Sequence, residues 1–445
     1  MLLYSTKNRQ LQVDLKEAIF NGLPLDNGLY MPNEIPRLPD SFFNDIHQLS
    51  FQEIGIAICK NLFQGIIPDQ DIEEIIKKAV NFPAPIIPLN KHQHILELFH
   101  GPSLAFKDFG ARFMAQLMSY YNRGEDQDLT ILVATSGDTG GAVAAGFYQT
   151  PGIKVVILYP SGKVSTLQEK QLTTLGHNIT ALEVDGTFDD CQALVKQAFL
   201  DQALRDKIRI SSANSINISR LIPQSFYYFE AYKQLKIKDQ PLVFSIPSGN
   251  FGNLTAGLLA YHMGLPVHQF IAATNQNDVV PTYLKEGNYQ VRPSVRTLSN
   301  AMDVGNPSNF ARMLDLFAIA KGKGIPTNTG IWKGMNQLIS GYAFTDDATE
   351  KAIIEVKEKH NYLLDPHGAV GYLALKAYQK EHPDTQGIIL ETAHPAKFRE
   401  DMDRIMGESI AIPDRLLTLS NKKKVATPLG IGYPEFHQWL LDNIK

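Results

Sequence analysis

Cysteine is scarce in this chain, with only Cys59 and Cys191 among 445 residues. Two thiols lodged in apolar helical patterns cannot form a disulfide framework, which predicts a reduced, cytoplasmic protein in which both are structural. No stretch reaches the ~20 consecutive apolar residues of a membrane span. The opening MLLYSTKNRQ has no long apolar core with a cleavage site, so neither a membrane partner nor export is expected. Long single-sign charge blocks are absent as well. The net charge is −4 and the one basic cluster, in LSNKKKVA, reads as a solvated turn, so no nucleic-acid partner is expected. Ligand-spaced pairs of the H-x-x-x-H or C-x-x-C kind do not occur; no metal site is expected, and His394 reads as a packed histidine.

What is present is alternation. A chain of 445 residues is too long for one ordinary core and predicts two or three lobes. From Tyr4 to about Leu89 the text is mainly helical, as in VDLKEAIFNGL, LSFQEIGIAICKNLF and DQDIEEIIKKAV, and NFPAPIIPLN reads as a linker. Strand and helix then alternate in two rounds. LTILVATS, KVVILYP, NITALEVD and IRISSA are the strands of the first, and PLVFSIP, PVHQFIAAT and GIILE those of the second. Such βαβα text predicts an α/β protein with two open parallel-sheet lobes, helices on both faces, and a cleft between them.

Three places in this alternation carry chemistry. ELFHGPSLAFKDFG sets one lysine, Lys107, where an apolar strand gives way to a helix whose face is Phe109, Phe113, Met114, Leu117 and Tyr121. A lysine there can be desolvated, which lowers its pKa and suits a Schiff-base amine; the bland alternative is a lysine that reaches solvent. TSGDTGGAVAAG follows a strand and opens a helix, so the N–H groups from Ser136 to Gly141 can receive an anion. Its glycines do not fit the G-x-G-x-x-G dinucleotide fingerprint, which weighs against a nicotinamide-dependent oxidoreductase. PSGNFGN repeats the geometry with Ser248, Gly249, Asn250, Phe251, Gly252 and Asn253. Two anion cradles beside one lysine suit a phosphorylated cofactor and its substrate; close-packing turns are the alternative.

FHGPSLAFKDFG is similar to the pyridoxal-phosphate lysine segment of the threonine synthases, and TSGDTGG, SGKVSTLQEKQ, NSINISRLIPQ, PSGNFGN and ETAHPAKF resemble the same family in the same order. The likeness runs from Tyr4 to about Asp414. Asn27 stands where the family usually has a second glycine, and Ile218-Ser219 where it has Trp-Ala. The resemblance implies a fold type II, tryptophan-synthase-β-like enzyme. It implies a threonine-synthase-type region at 1–90, a large cofactor domain at 91–112 and 213–414, a small domain at 113–212 and a C-terminal tail at 415–445. Lys107 would hold pyridoxal 5'-phosphate and act as acid and base. Ser248, Gly249, Asn250, Phe251, Gly252 and Asn253 would hold its phosphate, and Thr392 would face its ring nitrogen. Ser136, Gly137, Asp138, Thr139 and Gly140 would grip the amino-acid carboxylate, with Lys163, Asn217 and Arg220 around the substrate phosphate. The implied reaction converts O-phospho-L-homoserine and water to L-threonine and phosphate, in a monomer or homodimer. A phospho-lyase or serine/threonine dehydratase giving 2-oxobutyrate, or an inactive cofactor-binding homologue, remains open at this point.

Overall fold

The apolar runs become buried parallel strands, as residues covered on both faces should. The computed structural model describes residues 1–135, 137–235, 240–319 and 328–444. The larger sheet has six strands, in the spatial order Ile339–Ala343, Gln269–Thr274, Leu242–Pro247, Gln386–Glu391, Gln93–Glu97 and Ile86–Pro88. All are parallel except the last, which runs antiparallel at the edge against Gln93–Glu97. NFPAPIIPLN is therefore more than a linker: its middle pairs with the sheet, and an edge position tolerates prolines that cannot donate to a ladder.

The smaller sheet has five parallel strands, in the order Thr427–Leu429, Ile179–Val184, Ile153–Pro160, Leu129–Ala134 and Arg209–Ser212. Its first member corrects the expectation of a C-terminal tail at 415–445. Thr427–Leu429 pairs with Leu182–Val184, and the helix Tyr433–Asn443 buries Phe436 and Leu440 among Leu182, Leu194 and Val195. Covering that apolar surface stabilises both pieces.

Residues near the start form a three-stranded antiparallel sheet, Gln12–Val13, Leu3–Ser5 and Tyr30–Pro32, followed by helices of which Phe51–Leu62 and Asp69–Ala79 are the longest. The helix Leu15–Asn21 starts on Asp14, whose side chain accepts from Glu17 N–H, and stops at Gly22 with φ 71°. Ser50 and Glu53 form a reciprocal capping box on Phe51–Leu62. Asn27, where the resembling family usually has glycine, takes a left-handed turn, φ 57°. Cys59 and Cys191 are free thiols, both buried. No helix among the described residues is long and apolar enough to cross a membrane.

Candidate active site

Three neighbouring parallel strands, Leu242–Pro247, Gln386–Glu391 and Gln93–Glu97, end on one side of the larger sheet, so the loops that leave them converge. Ligands of open α/β sheets bind at such strand ends. The loop after Gln93–Glu97 is sewn to the neighbouring strand end: Leu98 N–H donates to Glu391 O (3.0 Å), Phe106 N–H to Thr392 O (2.8 Å) and His394 N–H to Leu104 O (3.0 Å). Leu104 is held at φ 59°, a left-handed conformation that a branched side chain adopts only when its surroundings impose it. Lys107 is thereby delivered as the first residue of the helix Lys107–Tyr121, beside Thr392.

Lys107 is half-buried as a residue, while protein atoms crowd its amine. Burial lowers its pKa from the ordinary lysine value; Asp138 pulls it back up, and Arg220 and Lys397 push it further down. Asp138 is itself held by Lys397, 3.0 Å away, and by Gln168 Nε2 at 3.1 Å. Burial alone would raise the Asp138 carboxyl, but the Lys397 and Lys107 charges outweigh it and keep the group well below the usual carboxylate range. Next to Lys107, Asp108 accepts from Ser103 N–H at 2.8 Å, and burial pushes its carboxyl up to about 6. Its other oxygen has no partner.

The two cradles differ in what they leave unsatisfied. At the first, Gly137 and Gly140 donate to Thr135 Oγ1 (3.0 and 2.8 Å) and Gly141 to Gly137 O (3.0 Å). The N–H groups of Asp138 and Thr139 are left without an acceptor among the described residues, at the start of the helix Asp138–Phe147. Gly137, at φ 141°, has no room for a side chain because a Cβ there would stand 2.7 Å from Gln168. Ser136 lies outside the described residues.

At the second cradle, the successive N–H groups of Gly249, Asn250, Phe251, Gly252 and Asn253 have no acceptor among the described residues. Phe251 turns into the left-handed region, φ 59°, just before the helix Gly252–His262. Ser248 Oγ donates to Asn253 Oδ1 (3.0 Å) and Asn253 Nδ2 to Pro247 O (2.8 Å), so these two side chains hold the loop in shape. Consecutive N–H groups converging at a helix N-terminus make an anion nest, and the donor set fits the phosphate of pyridoxal phosphate.

The remaining expected residues divide. Arg220 is buried beside the helix of Lys107: its Nη1 donates to Ala213 O (2.6 Å), its Nε has no partner, and a Cβ on Gly110 would stand 2.8 Å from that Nε. Asn217 is fully buried but already engaged, donating to Ile19 O (2.7 Å) and accepting from Ser219 N–H and Oγ–H (3.0 and 2.7 Å). Its amide fastens the N-terminal region rather than facing a ligand. Lys163 is exposed on the turn after Ile153–Pro160, within electrostatic reach of Asp190, and does not join the buried cluster. Ser308 precedes by two positions the helix Phe310–Ile319 and donates to Asn250 Oδ1 through its N–H (3.3 Å).

Lys397 was missed as a functional residue. Its amine also donates to Ser103 O (2.9 Å) and Gln171 Oε1 (3.1 Å), joining the Lys107 loop to the helices of the smaller sheet. Asp365, His367 and Glu391 form a second unforeseen group. His367 Nδ1 lies 2.6 Å from Asp365 Oδ1, and Glu391 Oε1 accepts from Asp365 N–H at 2.6 Å. Burial and the adjacent Asp365 charge raise the Glu391 carboxyl well above its ordinary value. His394 packs as expected, its Nδ1 accepting from Ala396 N–H (3.1 Å) and its ring edge-on to Phe99. None of these residues lines the open cavity of about 580 Å³ at the sheet's outer edge, which is bounded by Asp278, Lys285, Asn336 and Tyr342.

Family models match most of the chain: Threonine synthase N terminus over residues 3–80, Pyridoxal-phosphate dependent enzyme over 81–390, and Threonine synthase, C-terminal over 368–431. Threonine synthase of Haemophilus influenzae is 48% identical over 417 residues, 94% of this chain and 94% of its own. The Escherichia coli K12 threonine synthase is 46% identical over 417 residues, again 94% of each chain. Among solved structures, the PLP-bound threonine synthase from Brucella melitensis superposes with a TM-score of 0.93 at 34% identity, covering 100% of both chains.

Proposed function

The chain belongs to the threonine synthases, fold type II lyases that depend on pyridoxal 5'-phosphate, and from that premise we propose how its residues turn O-phospho-L-homoserine and water into L-threonine and phosphate. The observation that carries the proposal is the Lys107 amine, desolvated near Asp138 of the first cradle, on a loop that leaves the same side of the larger sheet as the second cradle.

The nest of Gly249 to Asn253 would hold the cofactor phosphate, Lys107 would hold its aldehyde end, and Thr392, at the strand end beside the Lys107 loop, would contact its ring. Bound there, the cofactor supplies an electron sink conjugated to the substrate nitrogen, which acidifies the bonds to hydrogen at Cα and then Cβ. Lys107 Nζ, whose pKa is lowered by burial and by Arg220 and Lys397, takes the Cα proton and later returns one. The N–H groups of Asp138 and Thr139 orient the substrate carboxylate. Asp138 would repel that carboxylate if its charge stood alone; Lys397 at 3.0 Å offsets it. Arg220, whose Nε is buried and unpartnered, receives the charge of the departing phosphate. This role falls to Arg220 without Lys163, which is exposed, or Asn217, whose amide is already bonded.

Product analysis tests the reading. Incubation with O-phospho-L-homoserine should release threonine and inorganic phosphate in equal amounts. Ammonia and 2-oxobutyrate without threonine would instead identify a phospho-lyase or dehydratase.

A further inference from the structure

Buried polar groups without partners are rare and call for an explanation. One of them is the Nδ2 of Asn309, a fully buried residue just before the helix Phe310–Ile319. Its orientation is not free. Oδ1 accepts from Arg312 Nη1 at 2.8 Å, and a guanidinium only donates, so the amide must turn its oxygen to Arg312 and its NH₂ away. That NH₂ lies 3.4 Å from where a Cβ on Gly252 would stand, beside the Gly249–Asn253 loop. The backbone holds it there: Asn309 N–H donates to Asn250 O (3.3 Å), and the neighbouring Ser308 N–H donates to Asn250 Oδ1 (3.3 Å).

Arg312 presents the complementary anomaly. It is fully buried, and among the described residues its other donors reach only carbonyls: Tyr30 O from Nε and Nη2 (3.2 and 3.0 Å) and Ile216 O from Nη2 (2.7 Å). No carboxylate is among these partners, and burial lowers its pKa to about 9. A buried cation without a counter-ion is costly. Asn309 stands with the negative end of its amide dipole on that cation and the positive end toward the nest.

We propose that Asn309 is a further ligand of the cofactor phosphate, donating from Nδ2, and that Arg312 is the positioning residue that fixes its amide and balances the phosphate charge through it. The inference rests on the pyridoxal-phosphate reading of the Gly249–Asn253 nest and extends it to an element the loop motif does not include. Because Arg312 also holds Tyr30 O, the N-terminal sheet is tied to the phosphate site through the same guanidinium.

The test is an isosteric substitution, Asn309→Asp, in the full-length protein stripped of cofactor and retitrated. The new carboxylate pairs with Arg312, so the cofactor-free protein should melt no lower than wild type. Its second oxygen opposes the phosphate, so the Kd for pyridoxal phosphate should rise at least ~100-fold, while pyridoxal, which lacks the phosphate, reacts at Lys107 with affinity unchanged to within about threefold. Asn309→Ala, which removes the donor without adding charge, should weaken pyridoxal phosphate about tenfold and spare pyridoxal. Inorganic phosphate should compete with pyridoxal phosphate in wild type and fail to do so in the aspartate variant. Wild-type affinity of Asn309→Asp for pyridoxal phosphate, or equal losses for the two aldehydes in both variants, would overturn the proposal. A wild type that takes up neither aldehyde at Lys107 would overturn the functional reading along with it.

Discussion

Gly249 has no steric freedom, and its replacement by alanine isolates what the phosphate nest contributes. A Cβ there would stand 2.7 Å from Ala301 O, 2.9 Å from Met302 Cα and 3.2 Å from Val304 Cγ2. Two of those atoms are backbone, in the short turn Asn300–Met302, and that turn cannot retreat cheaply. It is pinned by Asn275, whose Nδ2 donates to Thr297 Oγ1 (2.7 Å) and Asp303 Oδ1 (2.9 Å). The loop of Gly249 must therefore shift by roughly half an ångström to relieve the contact, at an overpacking cost of about 1–3 kcal/mol. The same shift moves the Gly249 and Asn250 N–H groups off the phosphate, and one charge-assisted hydrogen bond is worth about 1.5–3 kcal/mol. Gly249→Ala should thus weaken pyridoxal phosphate by roughly ten- to a hundredfold. Absorbance titration of the stripped protein measures this directly. Gly432→Ala is the control, since a Cβ there meets nothing within 4 Å. Wild-type affinity in Gly249→Ala, with an unchanged melting temperature, would refute the steric reasoning and the placement of the phosphate.

Three further outcomes are expected. Lys397→Met removes a cation that pushes Lys107 down and frees Asp138 to pull it up, so the amine pKa rises; the acid limb of the reaction of Lys107 with pyridoxal phosphate should move to higher pH, and Asp138→Asn should move it back in the double variant. Asp108 is protonated in the folded chain up to about pH 6 and ionised in the unfolded chain above about pH 4, so the folded state loses stability as pH rises between them, by up to ~3 kcal/mol. Asp108→Asn should therefore raise the melting temperature above pH 6 relative to wild type, with the advantage gone at pH 4, followed by calorimetry across pH. Glu391→Gln, which keeps the Oε1 acceptor of the Asp365 N–H and drops the charge that burial and Asp365 disfavour, should change the denaturation midpoint little, whereas Glu391→Ala leaves the Asp365 N–H unpaired and should cost about 2–4 kcal/mol by urea unfolding.

How much was legible in the letters depended on whether the signal was local. The central strands of both sheets and the glycine turns after Leu129–Ala134 and Leu242–Pro247 are written in contiguous residues, as is the Gly-Pro interruption before Lys107; the edge strands Ile339–Ala343 and Ile86–Pro88 are not. The pairing of Thr427–Leu429 with Leu182–Val184 is not, because a three-residue strand amid polar text shows no periodicity until its partner is known. Lys397 follows the same logic. Nothing distinguishes one lysine in HPAKF until the fold brings Ser103 and Asp138 to it across the chain. Lys163 is the converse case: the motif around it was informative, but facing is a tertiary property, and the turn points it outward. Asn217 shows that a polar residue in the right loop can be consumed by structure, here by Ile19 O and its own helix start.

Everything proposed for catalysis depends on Lys107 being the amine that bonds the cofactor, and reduction with borohydride tests that most directly. The purified protein with pyridoxal phosphate should show visible absorbance that borohydride abolishes, and peptide mass analysis should then find the pyridoxyl group on the peptide containing Lys107, with none on Lys397 or Lys163. A modification at another lysine, or a protein that stays colourless with added pyridoxal phosphate, would contradict it.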